Sequence, residues 1–247
     1  MPRFPRKSFE TLFFHVIVQG INREYIFYKE EYIKKYRKLL LYNSNKYNIT
    51  LISYCIMNNH AHILLNVNKI EDLSLYMKSI NTSYARYYNK CENRVGFVFR
   101  NRFESEPIYE ENYLLNCIAY IHNNPVKASM VASPKDYPFS SYNDYLQLKG
   151  IATENTIRLV FGSTQDFLDT YKLIHLSNNE FKDFVEEIDY KKIYDYLNTF
   201  DIQYILSDNL KLKELVQNLI KNFKLPINTV CQLLNINRFK LYRILKK

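Results

Sequence analysis

The chain has 247 residues, 47% hydrophobic and 24% charged, which speaks against a disordered polymer and leaves room for a full core and more than one domain. Its four cysteines (Cys55, Cys91, Cys117 and Cys231) form no CxxC pair, so reduced, mostly buried thiols are expected rather than a zinc knuckle or disulfide framework. The formal charge of +9 is unevenly spread: residues 1–149 hold 20 Lys/Arg against 13 Asp/Glu, residues 150–210 hold 5 against 11, and residues 211–247 hold 9 against 1.

Two basic blocks around an acidic one suit two surfaces that meet a polyanion, although many soluble proteins are basic without binding nucleic acid. No apolar stretch is long enough to span a bilayer, and "MPRFPRKSFE" lacks the apolar core of a signal peptide. A cytoplasmic, nucleoid-associated protein with no membrane partner is expected.

In chain order, "FFHVIVQG" (13–20) is aromatic and β-branched and ends in Gly, so it predicts a strand. Tyr32, Ile33, Tyr36, Leu39 and Leu40 recur at helical spacing within 29–48. "ITLISYCIM" (49–57) and "HAHILLNV" (60–67) read as two strands joined by an Asn-Asn turn. A helix over 70–91 follows, with Asp72 placed as its N-cap and Leu73, Tyr76, Met77, Ile80 and Tyr84 on one stripe. Residues 96–108 read as a strand with rough alternation. Residues 110–124 read as a helix closed before Pro125, because the residue ahead of proline avoids the α region.

The order β-α-β-β-α-β predicts an α+β fold: a ferredoxin-like antiparallel sheet with helices on one face and the 110–124 helix packed beside it. Beyond about Gly150 the pattern is helical throughout, which places domains at 1–149 and 150–247. The end of the chain offers a helix at 211–223, a short one opened by Pro226, a turn at "NIN" and the basic helix "RFKLYRILKK". Leu215, Leu219, Val230, Leu233, Ile236, Leu241 and Ile244 could form a trihelical core. This is a candidate helix-turn-helix at 211–247, with Arg238, Lys240 and Arg243 as candidate contacts to duplex DNA. A small bundle with a solvated basic tail is the other reading.

Alternation along a strand projects His60 and His62 from the same side. Two imidazoles supply only two ligands, so the pair alone fits ordinary polar strand residues as well as a metal site. Tyr120 and Asn124 are an i, i+4 pair on the later helix and share one face. A phenol and a carboxamide beside a divalent ion would provide a nucleophile and a ligand. His122, two positions from Tyr120, faces away from that ion.

Four separated motifs, "NNHAHILL", "VGFVFRNRFESEPI", "YIHNNPVKA" and "SPKDYPFSSYNDYL", together resemble the REP-associated tyrosine transposases. These belong to the HUH single-strand transposases, named for a histidine-hydrophobic-histidine strand. The resemblance covers about residues 8–146. It implies an HUH endonuclease fold in which His60, His62 and Asn124 bind Mg²⁺ or Mn²⁺ and Tyr120 cleaves DNA. The product would be a 5′-phosphotyrosine link and a free 3′-OH. Single-stranded or hairpin DNA would be the partner, Arg100, Arg102 and Lys127 candidate phosphate contacts, and the protein a monomer or homodimer.

Other readings stay open. A domesticated, non-catalytic DNA-binding regulator would keep the same residues, and a zinc-structural module is a third possibility. A 2H phosphodiesterase would need a second His-x-Ser/Thr repeat, and none is present. Tyr84, Tyr87 and Tyr88 could stack on bases, but a core stripe is the simpler reading. His15 reads as a packing residue, and His175 receives no role.

Overall fold

The protein's structure, a computed structural model, describes residues 11–176, 190–223, 225, 230–231, 233–237, 241 and 243–245. Aromatic and β-branched runs form β1 (Phe13–Gln19), β2 (Thr50–Ile56) and β3 (His60–Asn66), and a shorter β4 spans Glu104–Ile108. Between them lie α1 (Glu30–Lys46) and α2 (Ile70–Cys91), and α3 (Glu111–Lys127) follows β4. The strands pair antiparallel in the order β2-β3-β1-β4, the ferredoxin-like arrangement.

Register sorts the side chains. His62 lies across from Ile17 on β1 and Cys55 on β2, while Ile63 lies across from Val16 and Tyr54. Because alternate residues face opposite ways, Val16, Tyr54 and Ile63 share one face, and His15, Ser53, Cys55 and His62 share the other. The first face is covered by α1 and α2; the Arg37 guanidinium of α1 stands 5.7 Å from the Tyr54 ring centroid. The stripe along α2 is fully buried, and its tyrosines satisfy their hydroxyls within the core. Tyr76 donates to the Leu40 carbonyl at 3.1 Å and Tyr84 to that of Ile26 at 2.5 Å. These rings are core, as the spacing predicts. The other sheet face is left to α3.

Three local expectations change. The strand expected over 96–108 shortens to β4. Gly96 turns the chain at φ +103°, and only Val98, Phe99 and Arg100 touch the β1 end before β4 begins. Arg100 and Arg102 therefore sit in a bent loop rather than on a strand. Asp72 does not cap α2: Lys69 is the N-cap without a side-chain bond, and Asp72 lies in the first turn, where its carboxylate complements the helix dipole. The last helix of the set does not close at Asn124. Pro125 lies inside α3, and the ladder resumes with Ala128 N–H donating to the Asn124 carbonyl at 2.9 Å. One proline deletes one N–H, and Pro125 is itself buried among the core residues of α3, which compensates in this last turn.

A helical C-terminal region follows: α4 (Tyr142–Leu146), α5 (Glu154–Phe161), α6 (Thr164–Leu176), α7 (Tyr190–Leu197), α8 (Ile202–Ser207) and α9 (Asn209–Asn222). Gly150 turns the chain between α4 and α5 at φ +61°, and a Cβ there would stand 2.6 Å from an Asp144 carboxylate oxygen. In the segment read as a helix-turn-helix, Leu215, Leu219, Val230, Leu241 and Ile244 are buried and Leu233 and Ile236 partly so. Its connecting residues 226–229 and its candidate contacts Arg238 and Lys240 lie outside the described residues; Arg243 is exposed. All four cysteines are free thiols, with Cys55 and Cys117 buried, Cys231 half-buried and Cys91 exposed.

Candidate metal and tyrosine site

The strand β3 begins at His60, so the His60 and His62 side chains enter the α3 face at the end of the sheet where β1 closes on Gly20. Gly20 N–H donates to the Asn59 carbonyl at 2.8 Å, and a Cβ on Gly20 would lie 2.3 Å from the Glu24 carbonyl oxygen. Only glycine allows that close approach, which holds the turn before β3 against the end of β1. The two imidazoles tilt together, with ring centroids 4.9 Å apart at 82°.

The helix α3 crosses this same face of the sheet. Tyr120 stands edge-on to His62, with ring centroids 5.5 Å apart at 88°. Asn124, one turn later, is fully buried, and its amide nitrogen donates back to the Tyr120 carbonyl at 3.3 Å, leaving Oδ1 directed elsewhere. Tyr120 is thus brought against His62, beside His60, within one chain, and Asn124 lies one turn further along the same helix.

A hydrogen bond fixes the His60 tautomer. His60 Nδ1 lies 2.6 Å from Asn59 Oδ1, and an amide oxygen only accepts. His60 therefore donates from Nδ1 and keeps a lone pair on Nε2. His62 Nδ1 lies 3.0 Å from His15 Nε2 on β1. When His62 donates in that pair, its Nε2 also presents a lone pair. The histidines resist protonation because burial disfavours their charged forms: His15 is lowered to about 3 and His60 to about 4. For His62 the same burial acts first, and the nearby His60, His15 and Lys127 add to the lowering. Neutral imidazole is the form that binds a metal.

Three buried atoms here, His60 Nε2, His62 Nε2 and Asn124 Oδ1, have no hydrogen-bond partner among the described residues. Each such orphan costs on the order of 1–3 kcal/mol, and all three are atoms that can serve as metal ligands. Among the described residues no group of three or more His, Cys, Asp or Glu is placed to hold an ion, so a third protein ligand rests on the Asn124 carboxamide. Two nitrogens and an oxygen, leaving open positions, suit a divalent ion that also takes water or phosphate oxygens.

The other candidates divide. Lys127 Nζ stands 4.5 Å from the Tyr120 ring centroid, beside the site. Arg100 Nη1 donates to Gln19 Oε1 at 3.2 Å, and Gln19 pairs with His60 across the strands, so Arg100 marks the rim. Arg102 is exposed in the same loop. His122 points away from the ligand cluster, as its helical phase predicts, into a separate polar cluster with Ser53, Ser141, Tyr171 and His175. Two residues of the site are missed by the sequence reading. Asn59 was legible only as a turn residue, and His15 only as packing, because its place beside His62 depends on the β1–β3 register.

A ferredoxin-like sheet whose central strand offers a His-x-His pair to a tyrosine-bearing helix is the architecture of the HUH class of transposases. Residues 8–124 match the family model "Transposase IS200 like". The chain is also 25% identical over 141 residues to a curated Haemophilus influenzae protein described as a REP-associated tyrosine transposase, covering 53% of this chain and 78% of that protein. It shares the fold of a REP-associated tyrosine transposase solved bound to a REP hairpin, with a TM-score of 0.51, 18% identity, and coverage of 62% of this chain and 91% of the other. Among the described residues no helix is long and apolar enough to cross a membrane.

Proposed function

We propose that this chain is a metal-dependent transposase or nickase that cleaves and rejoins single-stranded DNA through Tyr120. The observation that carries the reading is three unpartnered ligand atoms: His60 Nε2 and His62 Nε2 on the strand that meets Tyr120, and Asn124 Oδ1 one turn along the tyrosine helix. These atoms would hold Mg²⁺ or Mn²⁺, which when bound supplies Lewis-acid polarisation of the scissile phosphate.

The remaining chemistry belongs to the chain itself. Tyr120 Oη, losing its proton, attacks phosphorus while the bond from phosphorus to the 3′ oxygen breaks. The phosphate stays on the tyrosine through the 5′ side of the break, and the 3′ oxygen leaves as a hydroxyl by taking up a proton. Attack by a 3′-hydroxyl on the phosphotyrosine reverses the step, so phosphodiester energy is conserved and no nucleotide cofactor is required. The Lys127 ammonium beside the Tyr120 ring is placed to favour the negative charge of the approaching phosphate. Arg100 and Arg102 on the adjoining loop would track the strand backbone.

The proposed substrate class is hairpin DNA, a reading supported by the related protein solved bound to a REP hairpin. Tyr120 and His60 are only 3% and 4% exposed, so a strand reaches them only if the site opens. A monomer is competent in this reading, because one chain holds all four residues. The C-terminal region, with Arg243 on its surface, would add duplex contacts.

The test is incubation of the full chain with single-stranded hairpin DNA and Mg²⁺ or Mn²⁺, followed by denaturing electrophoresis for a protein–DNA adduct. The wild type should form it and Tyr120→Phe should not. Full cleavage by Tyr120→Phe would overturn the nucleophile. Tight, salt-dependent duplex binding with no adduct on any single strand would instead identify a non-catalytic regulator, and unfolding by a chelator would identify a structural metal.

A further inference from the structure

The family match ends at residue 124, within α3, yet a buried polar cluster joins α3 to the region beyond it. His122 is fully buried, and both its ring nitrogens are engaged. Its Nε2 lies 3.0 Å from Ser53 Oγ on β2 and 2.8 Å from Ser141 Oγ ahead of α4. Its Nδ1 lies 3.1 Å from His175 Nε2 and 3.2 Å from Tyr171 Oη, both on α6. The two imidazoles stack with centroids 5.3 Å apart at 12°.

The direction of these bonds is set from one end. His175 Nδ1 lies 2.7 Å from the Tyr171 carbonyl, which only accepts, so His175 donates from Nδ1 and accepts at Nε2. His122 must then donate from Nδ1 to His175, which leaves its Nε2 to accept from the serine hydroxyls. A chain of oriented bonds runs from α6 through α3 to β2. Such a network holds one rotation of the helix, because any other leaves several buried polar groups unpaired.

We propose that α6, through His175 and Tyr171, is a clamp on the back of the tyrosine helix that sets the rotation of Tyr120 and Asn124 against the histidine pair. The proposal rests on the metal–tyrosine reading of the site. His122 lies two residues from each of Tyr120 and Asn124, about 200° around the helix, so restraint on one side fixes the other. A phenol oxygen about 8 Å from the helix axis moves by roughly 1.4 Å for a 10° roll. A displacement of about 1 Å costs on the order of 100-fold in rate. His122, His175 and Tyr171 are positioning residues in this account; none touches the reacting atoms. The helical region beyond the family module thereby becomes a condition for activity rather than an appendage.

The experiment uses the full chain with three variants, His175→Ala, His175→Gln and Tyr171→Phe, and two independent readouts. The first is the single-turnover rate of adduct formation on a single-stranded hairpin with Mn²⁺, alongside the DNA dissociation constant. The second is the spectrum of ¹⁵N-labelled histidine rings without DNA or metal. His175→Ala should slow adduct formation by about 10- to 100-fold with DNA affinity changed by less than about twofold. It should also shift the His60 and His62 ring resonances on the far side of α3. His175→Gln, whose carboxamide oxygen can accept from His122, should restore both readouts, and Tyr171→Phe should fall between. Wild-type rates with unshifted His60 and His62 resonances in His175→Ala would overturn the clamp, as would failure of His175→Gln to rescue either readout while the chain stays folded. If the wild type makes no adduct at all, the cleavage reading fails, and the ring resonances alone still decide the clamp.

Discussion

Replacing His15 with leucine should weaken metal binding. His15 Nε2 stands 3.0 Å from His62 Nδ1, and both side chains are fully buried. With leucine at 15, a proton on His62 Nδ1 loses this acceptor, and a buried unpaired N–H costs about 1–3 kcal/mol. Moving that proton to Nε2, which also has no hydrogen-bond partner among the described residues, would instead block the atom that must present a lone pair to the ion. Either way the ion is held less well. Loss of such an outer partner typically lowers metal affinity about 10- to 100-fold, or roughly 1.4–2.8 kcal/mol. Titration with Mn²⁺ followed by electron paramagnetic resonance measures the free ion directly. His15→Gln, which can still accept through its carboxamide oxygen, should recover most of the affinity. Unchanged Mn²⁺ affinity in His15→Leu would refute the tautomer argument.

Two further outcomes follow from the same structure. His15 and His60 have folded pKa values lowered by burial to about 3 and about 4, below the ordinary histidine value, so the unfolded chain binds more protons between those limits. Stability from these groups is therefore complete above about pH 6.5 and is lost as pH falls toward 4 and then 3, by several kcal/mol in all. Urea midpoints measured from pH 7 to pH 4 should decline steeply; a flat profile that steepens on replacing both histidines would contradict the assignment. Gly150→Ala should destabilise the chain by roughly 1–3 kcal/mol, because φ is +61° and the new methyl would press on Asp144. Thermal denaturation of that variant provides the check.

The sequence made the sheet legible where the code is local. Alternation and helical spacing locate β1 to β3, α1 and α2 to within a residue or two, and the i, i+4 relation of Tyr120 and Asn124 survives intact. What was not legible depends on long-range geometry. His15 becomes a partner of His62 only through a register that pairs Ile17 with His62, and no single-strand pattern carries that information. The link between His122 and His175 joins residues 53 positions apart from segments of opposite charge character. Pro125 misled because the rule for the residue before proline is a local preference, whereas burial of the last turn of α3 is a tertiary one. The strand at 96–108 shortened because hydrophobic content around Phe97 and Phe99 mimics a strand, while Gly96 at positive φ turns the backbone away.

The central claim is that a single chain assembles the ion site from His60, His62 and Asn124 beside its own Tyr120. Anomalous diffraction from crystals of the protein grown with Mn²⁺ tests it most directly. The account predicts one strong peak bonded to His60 Nε2, His62 Nε2 and Asn124 Oδ1, with Tyr120 of that same chain next to it. A peak held elsewhere, or one faced by the tyrosine of another copy, would contradict it.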